Sequence, residues 1–137
     1  SMSVQEETQE WLAKAEDDYQ AAIALARRRK NPLPEIVCFH CQQCAEKYLK
    51  AFLTVHQMPF PKTHDLIALK KLCIEVDGAF ELIHSWLESL EGYDVPIRYP
   101  GETATPEDAR EALAAMKKVR RFMRDRLGSE IIQGYKR

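Results

Sequence analysis

Cys38, Cys41 and Cys44 stand three residues apart, and Cys73 follows them. A C-x-x-C-x-x-C run is the spacing from which iron–sulfur ligands are drawn. With His40 inside the run, a zinc site is the other metal reading. Both compete with a helical one. Residues 35–57 carry a strong helical period, and positions three apart on a helix advance about 300°. Cysteines so placed wind round the helix and do not converge on one ion. Free cysteine packs as a small hydrophobe, and the run has no glycine and no Cys-Pro sequel. We therefore expect buried thiols, no bound metal and no cofactor. His40, His56, His64 and His84 form no H-E-x-x-H pair. There is no G-x-S-x-G, no P-loop and no G-x-G-x-x-G, so the nucleophile elbow and the glycine-built phosphate cradles are missing.

Three polar features remain. One is a stripe on the helix of residues 35–57: His40, Gln43, Lys47, Lys50 and Thr54, with Glu46 beside it. The others are the turn Thr63-His64-Asp65-Leu66 and the segment Arg98-Tyr99-Pro100. Lys47 and Lys50 offer positive charge. Arg98 offers a planar fork matched to phosphate. Tyr99 offers a ring for stacking or a hydroxyl for hydrogen bonding. Each has a structural alternative. Glu46 pairs with Lys50 at i,i+4, while Asp65 and Arg98 fasten loops.

These residues need elements to hold them. Residues 4–29 repeat apolar side chains at helical spacing (Trp11, Ala15, Tyr19, Ala22, Ile23), and Asn31-Pro32-Leu33-Pro34 ends the pattern. Residues 35–57 are apolar on most sides, which suits the centre of a bundle. Thr63 is expected to cap a third helix, with Leu66, Leu69, Leu72, Cys73 and Val76 as its inner face. Phe80, Ile83, Leu87 and Leu90 suggest a short further helix, and residues 92–104 a loop. Thr105 caps a last helix with Pro106 at its first position, and Gly128 closes it. No segment alternates as a strand does. The expectation is an all-α, up-and-down bundle of four or five helices: one domain over residues 4–128 with a loose C-terminal tail over 129–137.

A chain of 137 residues with 45% hydrophobic and 30% charged side chains excludes disordered and fibrous classes. No apolar run nears the roughly 20 residues of a membrane span. Residues 5–10 lack the apolar stretch of a secretory signal, so a cytoplasmic location is expected, with no membrane contact. The net charge of −1 is unevenly spread. Arg27, Arg28, Arg29 and Lys30 form one basic cluster; Lys117, Lys118, Arg120, Arg121, Arg124 and Arg126 form another. They read either as helix ends complementing the dipole or as an anion-binding surface.

Gln43-x-x-Glu46-Lys47-x-Leu49-Lys50-Ala51, then Pro61-x-Thr63-His64-Asp65-Leu66, then Arg98-Tyr99-Pro100 before a last helix resemble the HEPN domain (higher eukaryotes and prokaryotes nucleotide-binding). Trp11-x-x-x-Ala15-x-x-Asp18-Tyr19-x-x-Ala22 is similar to that family's first helix. The resemblance covers roughly residues 8–127. It implies a helical bundle, often a homodimer, encoded beside a nucleotidyltransferase partner in toxin–antitoxin or related two-component modules. Many members are metal-independent ribonucleases that use an Arg followed four to six residues later by His. Here no histidine follows Arg98. The Arg-Tyr-Pro form resembles the branch proposed to bind nucleotides or to assist the transferase.

The expected ligand-binding set is Lys47, Lys50, His64, Asp65, Arg98 and Tyr99, gathered in one polar cleft that binds a nucleotide or RNA phosphate, with no catalytic residue. Arg98 is expected to make the main anion contact, and Asp65 to orient His64 or Arg98. A homodimer is expected because the second helix and Phe122 and Met123 of the last helix carry more apolar surface than a small bundle easily covers. Two rivals stand beside this reading: a ribonuclease with a non-standard set (Arg98, Tyr99, His64) and a purely structural dimerisation domain.

Overall fold

The computed structural model describes residues 1–96 and 98–135. Ile97 of the expected loop, and Lys136 and Arg137 of the expected tail, lie outside the described residues. The order is α1 (Val4–Ala26), α2 (Pro34–Val55), α3 (Leu66–Val76), a 3₁₀ turn (Gly78–Ile83), α4 (His84–Glu88), α5 (Pro106–Leu127) and α6 (Ser129–Tyr135). The described residues contain no strand, and the chain is an all-α helical bundle.

Local chemistry sets the boundaries. Ser3 opens α1 with a capping box closed by Glu6, and Thr105 opens α5 in the same way with Asp108. Pro34 stands in the first turn of α2, and Pro106 in that of α5, where a missing N–H costs nothing. The expected cap of α3 is corrected. Asp65, not Thr63, is the N-cap and accepts from the Ala68 N–H, while the Thr63 hydroxyl accepts from the Asp65 N–H. Both side chains can cap, and the helix starts at the second.

The tail is also corrected. Residues 129–135 form α6, whose Ile132 is buried and whose Ile131 carbonyl accepts from Gln9 of α1. Gly128, at φ 89, makes the corner between α5 and α6, a conformation that a side chain would strain.

α2 lies at the centre, with Cys38, Cys41, Cys44, Tyr48, Leu49 and Phe52 all buried. Leu12 of α1, Phe80 of the 3₁₀ turn and Met116 of α5 close over it. Phe52 stacks on Phe80, and Phe80 meets Phe122 edge-on at 5.1 Å. Met123 is fully buried. Most of the apolar surface of α2 and all of Met123 are thus covered within one chain, while Phe122 stays half-buried and Ile36 exposed.

α2 ends in a Schellman turn. Gln57, in the left-handed region at φ 54, donates to Thr54, and Met58 donates to Leu53 at 2.9 Å. The chain reverses there. Residues 56–65 run back beside α2, so that His64 returns to the level of Gln42 and Glu46.

Candidate functional site

Gln42, Glu46 and Lys50 follow one another at i,i+4 and therefore share a face of α2. All three are buried. Glu46 is the hub. Its Oε2 accepts from Lys50 Nζ at 2.9 Å, and its Oε1 accepts from His64 Nδ1 at 2.9 Å and from the Gln42 amide at 3.2 Å. The same Gln42 amide donates to the His64 carbonyl at 3.1 Å. Burial by itself would raise the Glu46 carboxyl. The Lys50 ammonium, the His64 imidazole and the Gln42 amide overcome that penalty and hold it below the usual carboxylate range.

The carboxylate has no proton to give, so His64 Nδ1 must carry the hydrogen. The ring is thereby oriented with Nε2 outward, and its side chain is 63% exposed. Lys50, by contrast, is almost enclosed, with its ammonium 5.4 Å from the centre of the Trp11 ring.

Lys50 and His64 of this cluster line an open cleft of about 920 Å³. Trp11, Met58, Pro59 and Phe60 supply apolar surface, while Lys50, Thr54, Lys62 and His64 supply polar groups. Trp11 and Phe60 rings lie 6.4 Å apart. The Trp11 Nε1 hydrogen and the Thr54 hydroxyl are buried atoms with no hydrogen-bond partner among the described residues. Buried polar atoms cost free energy unless satisfied, and both lie just beneath the surface of residues that line the cleft.

The predicted set divides. Lys50 and His64 are brought together through Glu46. Lys47 sits on another face of α2 and pairs with Asp18 of α1 at 2.5 Å, beside His40, whose Nδ1 donates to the same carboxylate. Asp65 caps α3 and orients neither His64 nor Arg98; Glu46 orients His64 instead. Arg98 does not line the cleft. Its guanidinium donates to the Gly92 carbonyl at 2.6 Å and lies 4.9 Å over the Tyr93 ring. Tyr99 is 78% exposed.

The sequence had placed Glu46 beside the stripe as a simple partner of Lys50, and Trp11 in the core. Their roles as hub and cleft wall depend on the return path of residues 56–65. The signal available was the i,i+4 series Gln42, Glu46, Lys50 opposite a Trp one residue before the buried Leu12.

The cysteines are buried, and burial raises their thiols: Cys38 to about 11 and Cys73 to about 12, with Cys41 and Cys44 also pushed up. Thiols so placed are neither nucleophiles nor ready ligands. Among the described residues no three His, Cys, Asp or Glu side chains gather as a metal ion would need. No helix is long and apolar enough to cross a membrane.

Compared with known families, the chain matches one, described as HEPN domain, over residues 8–126. No curated protein and no solved structure matches it.

Proposed function

Because the chain belongs to the HEPN domain family, we propose that it is a nucleotide-binding module, and that its ligand enters the cleft between Trp11, Lys50, Phe60 and His64. The carrying observation is the Lys50 ammonium. It is held at the cleft wall by Glu46, beside an outward imidazole nitrogen. Lys50, His64 and Lys62 suit a phosphate. The Trp11 and Phe60 faces suit a base. Lys47 and Asp65 support this site from outside, through α1 and through the start of α3.

The module works as a homodimer with a nucleotidyltransferase partner, in a two-component system of the toxin–antitoxin kind, and carries out no chemistry itself. The loop that holds Arg98 and exposes Val95 and Tyr99 is the surface we assign to those contacts, with Arg98 offering its free N–H groups there.

Calorimetric titration with AMP and ATP tests the site. Wild type should bind at least one of them. Lys50→Met and His64→Ala should each weaken binding about tenfold or more, the cost of about one charge-assisted hydrogen bond. A wild type that binds neither, or variants that bind as well as wild type, would overturn the assignment.

One observation favours the ribonuclease reading. A carboxylate that fixes a histidine's tautomer and orientation is the arrangement of a general base, and Glu46–His64 stands beside a cation suited to a phosphate. That alternative predicts that His64→Ala abolishes cleavage of RNA while Lys50→Met only weakens it.

A further inference from the structure

The second basic cluster of the sequence lies on α5, away from the cleft, and its members are not equivalent. Arg120 donates twice to Glu16, at 2.8 Å each, Arg124 reaches the same carboxylate at 3.8 Å, and Arg126 pairs with Asp77. Lys117, Lys118 and Arg121 have no carboxylate partner among the described residues, and all three are exposed. Lys117 and Lys118 are neighbours on one turn, and Arg121 stands on the next, about 5 Å further along the helix.

Two grooves flank them and share Arg121. One, of about 270 Å³, is lined by Tyr19, Lys117, Arg120, Arg121 and Arg124. The other, of about 440 Å³, is lined by Trp86, Lys118, Arg121, Phe122 and Asp125. Each holds an aromatic ring with a cation above it: Arg120 lies 4.0 Å over Tyr19 and Lys118 lies 5.8 Å over Trp86. Glu16 locks the Arg120 guanidinium in its plane against Tyr19. Among the described residues, Asp125 is the one carboxylate that lines the two grooves, and it lies beside Arg126 at 3.8 Å.

A row of unpaired cations between two planar stacking platforms is what a single-stranded polynucleotide requires. Phosphates track the cations, and bases stack on the rings or on the fixed guanidinium. An acidic protein segment would use the cations but leave both platforms idle. We propose that this face of α5 binds a single-stranded nucleic acid through its backbone and its bases, independently of the cleft.

The test is the salt dependence of binding to a labelled oligouridine of about 12 nucleotides, beside polyglutamate and inorganic polyphosphate of equal charge. Wild type should bind the oligouridine more tightly than either base-free polymer. The Lys117→Gln/Arg121→Gln double variant should bind it about tenfold more weakly, and its log–log salt slope should flatten by about 1.4, the share of two phosphate contacts on a single strand. Lys117→Arg should restore much of the lost slope when paired with native Arg121. Equal affinity for polyglutamate, or an unchanged slope in the double variant, would overturn the proposal. AMP affinity at the cleft should not move in the double variant, whereas Lys50→Met should leave the oligouridine slope intact. Failure of one site therefore cannot be mistaken for failure of the other.

Discussion

Two buried carboxylates of this bundle are built alike and serve differently. Glu16 of α1 takes Arg120 and Arg124 of α5 together with the Tyr48 hydroxyl of α2. Glu46 of α2 takes Lys50 and His64. Burial would raise both; in each the surrounding donors win and hold the carboxyl below its usual value. The difference lies in where the donors come from. Around Glu16 they come from two other helices, so three elements are tied together. Around Glu46 one donor is four residues away on the same helix and the other sits on a returning connector. The tie leaves an open cleft and an exposed imidazole edge. A buried carboxylate that ties three elements together is a clamp, and one that holds an ammonium and an imidazole at the wall of a cleft is a candidate site.

The contrast is first broken by removing the clamp. Glu16→Ala strands two guanidiniums and a phenol, and should cost about 3–5 kcal/mol in denaturant unfolding, the usual penalty for breaking a buried pair. Glu46→Gln keeps the hydrogen-bonding shape and an acceptor for the Lys50 ammonium, and should cost about half that or less. Equal losses would erase the distinction.

Acid sharpens it. Both carboxyls titrate lower when folded, so in the window below their ordinary value the unfolded chain binds more protons. The stability they supply is fully present above that value and is lost as pH falls through the depressed folded values. Unfolding free energy should therefore decline between about pH 5 and pH 3. Glu16→Gln and Glu46→Gln should each flatten that decline. Glu91 works in the opposite sense, because its burial raises its carboxyl. A wild-type profile that rises on acidification through this range would contradict the assignment of both sites.

The smallest effect concerns the loop. Arg98→Ala removes one hydrogen bond to Gly92 and a ring contact with Tyr93. It should cost about 1 kcal/mol or less and leave AMP binding unchanged, since Arg98 does not line the cleft. A tenfold loss of AMP affinity at unchanged melting temperature would return Arg98 to the ligand.

The helices were legible in the sequence because their limits are chemical. Asn31-Pro32-Leu33-Pro34 separates α1 from α2, although α1 already ends at Ala26 and not at residue 29, and Thr105-Pro106 starts α5 with a cap and a first-turn proline. α6 was not legible, since seven residues with two adjacent isoleucines carry no periodic signal. The pairing of Lys50 with His64 could be read only in part. Residue types marked both as polar anchors, but their meeting depends on the turn at Gln57, a left-handed position occupied by a residue other than glycine. Nothing in the sequence marks such a position. Arg98, chosen for its chemistry, donates to Gly92 within its own loop, a contact that residue type alone does not mark.

The chain has two tryptophans, and they report on the two faces separately: Trp11 lines the cleft and Trp86 the α5 groove. The most direct measurement of the central claim follows their indole N–H signals by NMR as AMP is added. The account predicts that the Trp11 signal shifts, as a base packs against its ring in the cleft, while the Trp86 signal stays in place. A Trp11 signal unmoved by saturating nucleotide, or movement confined to Trp86, would contradict it.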